Sequence, residues 1–220
     1  MFCLRMLGTY KANQTGLTNA CKAEYESSVK RFADIQSGKA FATNAAVEQL
    51  LISLVTKPVF SLAKSKKLMA QASRVYLKCI PHHFSEMPVQ ELPAASTNHP
   101  IFMTLLRGNA IGEILVDMLS PSWERTLSKK CQENVTVSAT QLLLALKCYQ
   151  SRNGALPESL TALVPEYFSS VPFDDFDGKP LRYAREKKLI WSVGQDLIDS
   201  GGEAFDKGKK RLDLPFKIEF

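Results

Sequence analysis

The chain is predicted to be an α+β protein, mainly helical in its N-terminal part, with a small β-layer at its C-terminal end. Three observations predict this. Apolar side chains recur at helical spacing through most of residues 17–153. Prolines and glycines punctuate that pattern where helices stop. Beyond Pro172 the helical period gives way to short β-prone runs separated by charged or glycine-rich connections.

Taken in order, Leu17, Ala20, Cys21, Val29, Phe32, Ala33 and Ile35 mark a helix over 17–37 that ends at Gly38. A shorter helix is expected over Asn44–Val55, stopped by Pro58, and another over Ser65–Cys79, stopped by Pro81. Residues 81–100 hold Pro81, Pro88, Pro93 and Pro100 among Ser, Thr and Asn, a composition that removes backbone donors and predicts a linker or an irregular arm. The domain reading is therefore a helical region over 1–100, with the proline-rich linker at 81–100, and an α+β domain over 101–220.

That domain opens with a helix over Ile101–Leu119. Ser120-Pro121 then starts a longer one reaching Asn153, with Ser120 as cap and Pro121 in the first turn. Trp123, Leu127, Cys131, Val135, Leu142, Leu146 and Tyr149 recur at three, four or seven and should face inward. Asn153-Gly154 ends the helix, and Pro157-Glu158 starts a short one through Leu163. Leu181–Arg185 and Leu189–Val193 read as a hairpin joined by Glu186-Lys187-Lys188, with a third strand at Leu214–Phe220.

At 220 residues, with 45% hydrophobic and 23% charged side chains, the chain has the composition of a globular protein with a buried core. Its net charge of +6 is uneven. Residues 1–100 carry 12 Lys+Arg against 6 Asp+Glu, whereas residues 101–220 carry 16 of each. An acidic partner or an anionic membrane face would suit that asymmetry, although the basic residues are scattered along helices and Lys64, Lys66 and Lys67 form their densest group. The five cysteines are odd in number and lack Cys-x-x-Cys spacing, so free thiols are expected in place of a zinc site or disulfide framework. No run approaches the roughly 18 to 20 apolar residues of a spanning helix, and Met1–Leu7 is too short for a signal peptide.

Ser192–Gly202 concentrates chemistry: two aspartates and three glycines in eleven residues. Carboxylates spaced through a glycine-rich turn can converge on one hard cation, because glycine lets the backbone turn its carbonyls inward. Aspartate-rich turns also form without metal, the carboxylate accepting from its own backbone two residues on.

Leu142–Gly202 resembles the C-terminal part of the major pseudopilin of bacterial type II secretion and, more closely, uncharacterised bacterial proteins with the same tail. The carrying residues are Ala145-Leu146-Lys147-Cys148-Tyr149, Asn153-Gly154, Leu156–Leu160 and Leu163–Tyr167, then Val171–Asp174, Asp177–Tyr183 and Ser192–Asp196. The resemblance implies a long helix whose end packs on a small antiparallel sheet, and a calcium-binding loop after the second strand. Carried over by position, the calcium ligands are Asp196, Asp199 and Asp206. Where the pseudopilin pattern has Ala-Asp-Gly, this chain has Gln195-Asp196-Leu197. The processed leader and long apolar helix of pseudopilins have no counterpart in Met1–Asn13. The expectation is a cell-envelope or periplasmic protein if a leader precedes this chain, with membrane association through that helix, and a cytoplasmic protein as the sequence stands.

The expected function is a non-catalytic, envelope-associated binding or structural role with protein partners and no nucleic acid. One alternative is a hydrolase using the Asp-rich C-terminal loops. Asp174, Asp175 and Asp177 are its candidate cluster, but Pro172 and Gly178 beside them favour a turn. Adjacent His82 and His83 point apart and do not converge on one metal. No nucleophile elbow, phosphate loop or His-Glu-x-x-His is present, so no catalytic or organic-cofactor residue is assigned. The other alternative is a nucleic-acid binder, from the basic first half and Lys209-Lys210-Arg211, a weak patch without interleaved aromatics.

Overall fold

The structure is a computed structural model that describes residues 14–37, 39, 59–87, 108–203 and 213–220. It has the expected α+β class. Among the described residues, three α-helices, α1 (Gln14–Gln36), α2 (Leu62–Cys79) and α3 (Ala110–Asn153), precede a sheet of β1 (Arg182–Ala184), β2 (Leu189–Ser192) and β3 (Leu214–Lys217). The helix expected over 44–55 lies outside the described residues, as does most of the proline-rich stretch.

One expectation is corrected in α3. Two helices meeting at Ser120-Pro121 were the sequence reading; the backbone runs helical without interruption from Ala110 to Asn153. Ser-Pro is a good helix start, yet an interior proline costs one backbone hydrogen bond and some crowding, about 3 kcal/mol, and the packing of a long helix can override that. The chain forms two compact units that divide between Thr126 and Leu127, inside α3, with His82–Met87 belonging to the C-terminal unit.

In the helical unit, α2 buries Ser65, Met69, Ala72, Tyr76 and Cys79, a four-three-four-three row that faces inward. Ser61 caps this helix, its side chain accepting from Lys64 N. α1 packs against it through Cys21 and Phe32, and Phe32 meets Phe60 edge-on at 6.3 Å. Asn109, just before α3, is buried and its Oδ1 accepts from Ser61 N and Ser65 Oγ, both at 2.9 Å. Gly112 makes that approach possible, since a Cβ there would lie 2.0 Å from Ser65 Oγ. Tyr76 stacks at a tilt on Trp123, 5.6 Å between centroids.

In the C-terminal unit, Leu127, Cys131, Val135, Leu142 and Leu146 of α3 are buried as the spacing predicted, together with Ala139 and Ala145. Leu156, Leu160, Leu163, Phe176, Leu181, Ile190, Val193 and Ile218 complete the core. Residues Leu160–Leu163 form a 3-10 turn where a short helix was expected. The sheet is antiparallel in the order β1-β2-β3, with Tyr183 opposite Ile190 and Ile190 opposite Phe216. Pro215 is tolerated because β3 is an edge strand. The Arg185–Lys188 turn closes the hairpin.

Candidate functional site

Asp174, Asp177 and Asp199 of the C-terminal unit converge on a single arginine, Arg182, at the start of β1. Asp174 sits in the turn between Phe173 and Pro180, which pair as an isolated bridge. Its carboxylate is fully buried: Oδ1 accepts from Phe176 N at 3.0 Å and Ser192 Oγ at 2.8 Å, and Oδ2 from Val193 N at 3.0 Å and Arg182 Nη1 at 2.9 Å. Burial pushes this carboxyl's pKa up, against the pull of the bonds from Phe176, Ser192 and Val193. Asp177 takes the same guanidinium in a bidentate pair and accepts from Lys179 N. Burial opposes its ionisation, but the bonds from Arg182 and Lys179 prevail and hold it below the usual range. Asp199 Oδ2 lies 3.6 Å from Arg182 Nε.

The Ser192–Gly202 loop is closed by its own carboxylates. Asp199 Oδ1 accepts from Trp191 Nε1 at 2.9 Å and Gly201 N at 3.0 Å, bonds that lower its pKa. Asp196 is the exposed member; its Oδ1 accepts from Ile198 N, an Asx turn. Asp206, the third expected ligand, lies outside the described residues, as do Lys209, Lys210 and Arg211. Sequence reading passed over the residue that ties the loop down. Asp213, just before β3, is completely buried, and its oxygens accept from Ser200 N at 3.1 Å and Gly202 N at 2.7 Å. Gly202 holds φ +87°, a backbone conformation that residues with a Cβ rarely adopt, and a Cβ there would press on the Leu189 side chain of β2, so glycine suits this position. An aspartate between a basic run and an apolar strand was the available signal, and charge alone does not tell a buried staple from a solvated side chain.

A second cluster joins three chain segments. Asp175 Oδ1 bonds His83 Nδ1 at 3.0 Å, while Oδ2 accepts from Lys130 Nζ at 2.9 Å and Asn134 Nδ2 at 2.8 Å. Lys130 is almost wholly buried and also donates to His82 O at 3.1 Å. Phe84 N and Ser85 N donate to the carbonyls of Asp175 and Phe176, and the Phe84 and Phe176 rings meet at 5.7 Å. The His82–Met87 segment is thus docked on the unit, and His83 is half-buried against a carboxylate. Cys131 beside this cluster is a buried thiol whose pKa burial pushes up to about 12, which keeps it an unreactive core residue at neutral pH. Cys21, Cys79 and Cys148 are likewise free thiols.

A calcium ion asks for six to eight oxygens and tolerates no neighbouring cation unless that cation is outweighed. Asp196 already accepts from Ile198 N, and among the described residues no three His, Cys, Asp or Glu side chains are grouped so as to hold a metal ion. Asp199 suits the ion poorly, because Trp191, Gly201 and Arg182 already engage its oxygens. Among the described residues no helix is long and apolar enough to cross a membrane. No family model, curated protein or solved structure matches the chain.

Proposed function

We propose that this chain is a non-catalytic binding or structural protein of the cell envelope, built around a pseudopilin-like C-terminal module. The observation that carries the reading is how the acidic side chains are used. Asp174, Asp199 and Asp213 each accept two or more bonds from the backbone or from Arg182 and Trp191 of the same unit, so the carboxylates a hydrolase would need as proton carriers serve as stays for turns. The order of elements supports the pseudopilin likeness: a long helix, a hairpin, and an aspartate loop after its second strand. So does Leu197, which holds φ +60° at the position where pseudopilins place a glycine. Incubation with generic esters, phosphoesters and glycosides is expected to show no turnover; turnover that disappears in Asp177→Asn would establish the hydrolase alternative instead.

The calcium expectation belongs to the same proposal. An ion would draw on Asp196 and on Asp199, the latter exchanging its Arg182 contact for the metal, with Asp206 as the third carboxylate. A ligand that binds only the folded state stabilises it by about 2.7 kcal/mol at a hundredfold excess over its Kd, so calcium is expected to raise the melting temperature and Asp196→Ala to abolish the rise. A shift that survives Asp196→Ala removes that residue from the site.

A further inference from the structure

We propose that the surface gripping His82–Met87 is a peptide-recognition site, filled by the chain's own segment and open to a protein partner that presents the same chemistry. The inference rests on the reading of the chain as a binding protein and names where it binds. Consecutive residues of the segment are read by one surface. Lys130 Nζ donates to the His82 carbonyl at 3.1 Å, Asp175 Oδ1 meets His83 Nδ1 at 3.0 Å, and the carbonyls of Asp175 and Phe176 accept from Phe84 N at 2.9 Å and Ser85 N at 2.8 Å. The Phe84 ring seats against Phe176, and Met87 closes the far end as a buried side chain. Main-chain hydrogen bonds that give affinity, with side-chain contacts between them that give specificity, are the pattern by which receptors hold a peptide.

Surface and segment differ in what holds them. Asp175 is fixed without the segment, since its Oδ2 accepts from Lys130 Nζ at 2.9 Å and Asn134 Nδ2 at 2.8 Å, both on α3. The turn that carries Asp175 and Phe176 is anchored through buried Asp174 to Arg182, Ser192 and Val193. The segment has little of its own: backbone bonds from Glu86 N to His83 O and from Met87 N to Phe84 O, and a 3.9 Å His82–Glu86 pair between exposed side chains. His82, Ser85 and Glu86 are exposed, so the segment lies on the surface and is not built into the core. A site already in its binding geometry takes a ligand at low ordering cost. A buried ion pair adds little stability over apolar groups of the same shape; the Lys130–Asp175 pair instead sets one donor and one acceptor in fixed positions, selecting a main-chain carbonyl followed by an imidazole. The partner it fits is a protein segment in which an imidazole precedes an aromatic ring.

The test uses the full chain and a fluorescein-labelled peptide with the sequence of Pro81–Met87, read by fluorescence anisotropy. His83→Ala with Phe84→Ala weakens the segment's hold and frees the site, whereas in the wild-type chain the tethered segment competes at an effective concentration of about 1 mM. For a peptide Kd of about 0.1 mM, the wild-type chain is therefore expected to bind about tenfold more weakly than the double variant. A peptide carrying the same two alanines is expected to bind neither chain. Circular dichroism and Trp191 fluorescence verify the fold, and Phe84→Ala alone, which removes one half-buried ring, replaces the double variant where that variant unfolds. Absence of binding to the folded variant at about 1 mM peptide, or equal binding of the alanine peptide, overturns the proposal and leaves the contact as intramolecular packing. That failure is distinct from failure of the binding reading itself, which substrate turnover would overturn.

Discussion

Asp174→Ala is expected to destabilise the C-terminal unit by about 3–5 kcal/mol, as the substitution strands several buried donors at once. Phe176 N, Val193 N and Ser192 Oγ all aim at a carboxylate that no water reaches, and a methyl group satisfies none of them. Arg182 keeps Asp177 and Asp199, so its charge is not abandoned. Asp174→Asn should cost less than the alanine variant, because the amide oxygen still accepts from some of these donors, although its NH2 faces the others. Asp177→Ala, at the wetter end of the same guanidinium, should cost about 1 kcal/mol. Urea unfolding followed by Trp191 fluorescence reads all three; equal losses at Asp174 and Asp177 would show that the buried bonds do not dominate.

Removing Asp175 should have an effect of similar size through a different physical cause. Lys130 Nζ is buried, and its charge is matched by this carboxylate and by His82 O. Breaking a buried ion pair from one side costs about 3–5 kcal/mol, whereas replacing both partners with apolar groups of similar volume is often neutral. Asp175→Leu is therefore expected to be severely destabilising, and Asp175→Leu with Lys130→Met to recover most of the loss. Because the same carboxylate holds His83, the single variant should also release the His82–Met87 segment. Hydrogen exchange at the Phe84 and Ser85 amides reports that release, since both are bonded to the turn at Asp175 and Phe176. Unchanged protection at those two amides would mean that the Phe84–Phe176 contact alone docks the segment.

Much of the architecture was legible because it depends on local rules. The 3.6-residue period of the long helix, the change of period after Pro172 and the hairpin at Glu186-Lys187-Lys188 all follow from short-range spacing, and the strands lie within the segments expected for them. The helix break at Ser120-Pro121 was misread for the same reason: the local signal is genuine, but the surrounding packing sets whether a proline starts a helix or rides within one. Of the expected calcium ligands, Asp196 and Asp199 lie together in one loop, and what their sequence context did not disclose is that Asp199 also faces Arg182, a residue of the neighbouring strand.

By itself the sequence determined the class of fold, the places where the helical pattern stops and the loop that gathers acidic side chains, since each is written in the order of neighbouring residues. The tertiary structure alone decided which carboxylates are buried staples and which remain in water, and that a six-residue piece of the proline-rich stretch docks on the C-terminal unit. Those properties depend on which distant segments meet and on the direction each side chain is given, and hydrogen-bond partners and burial arise only when the chain has folded.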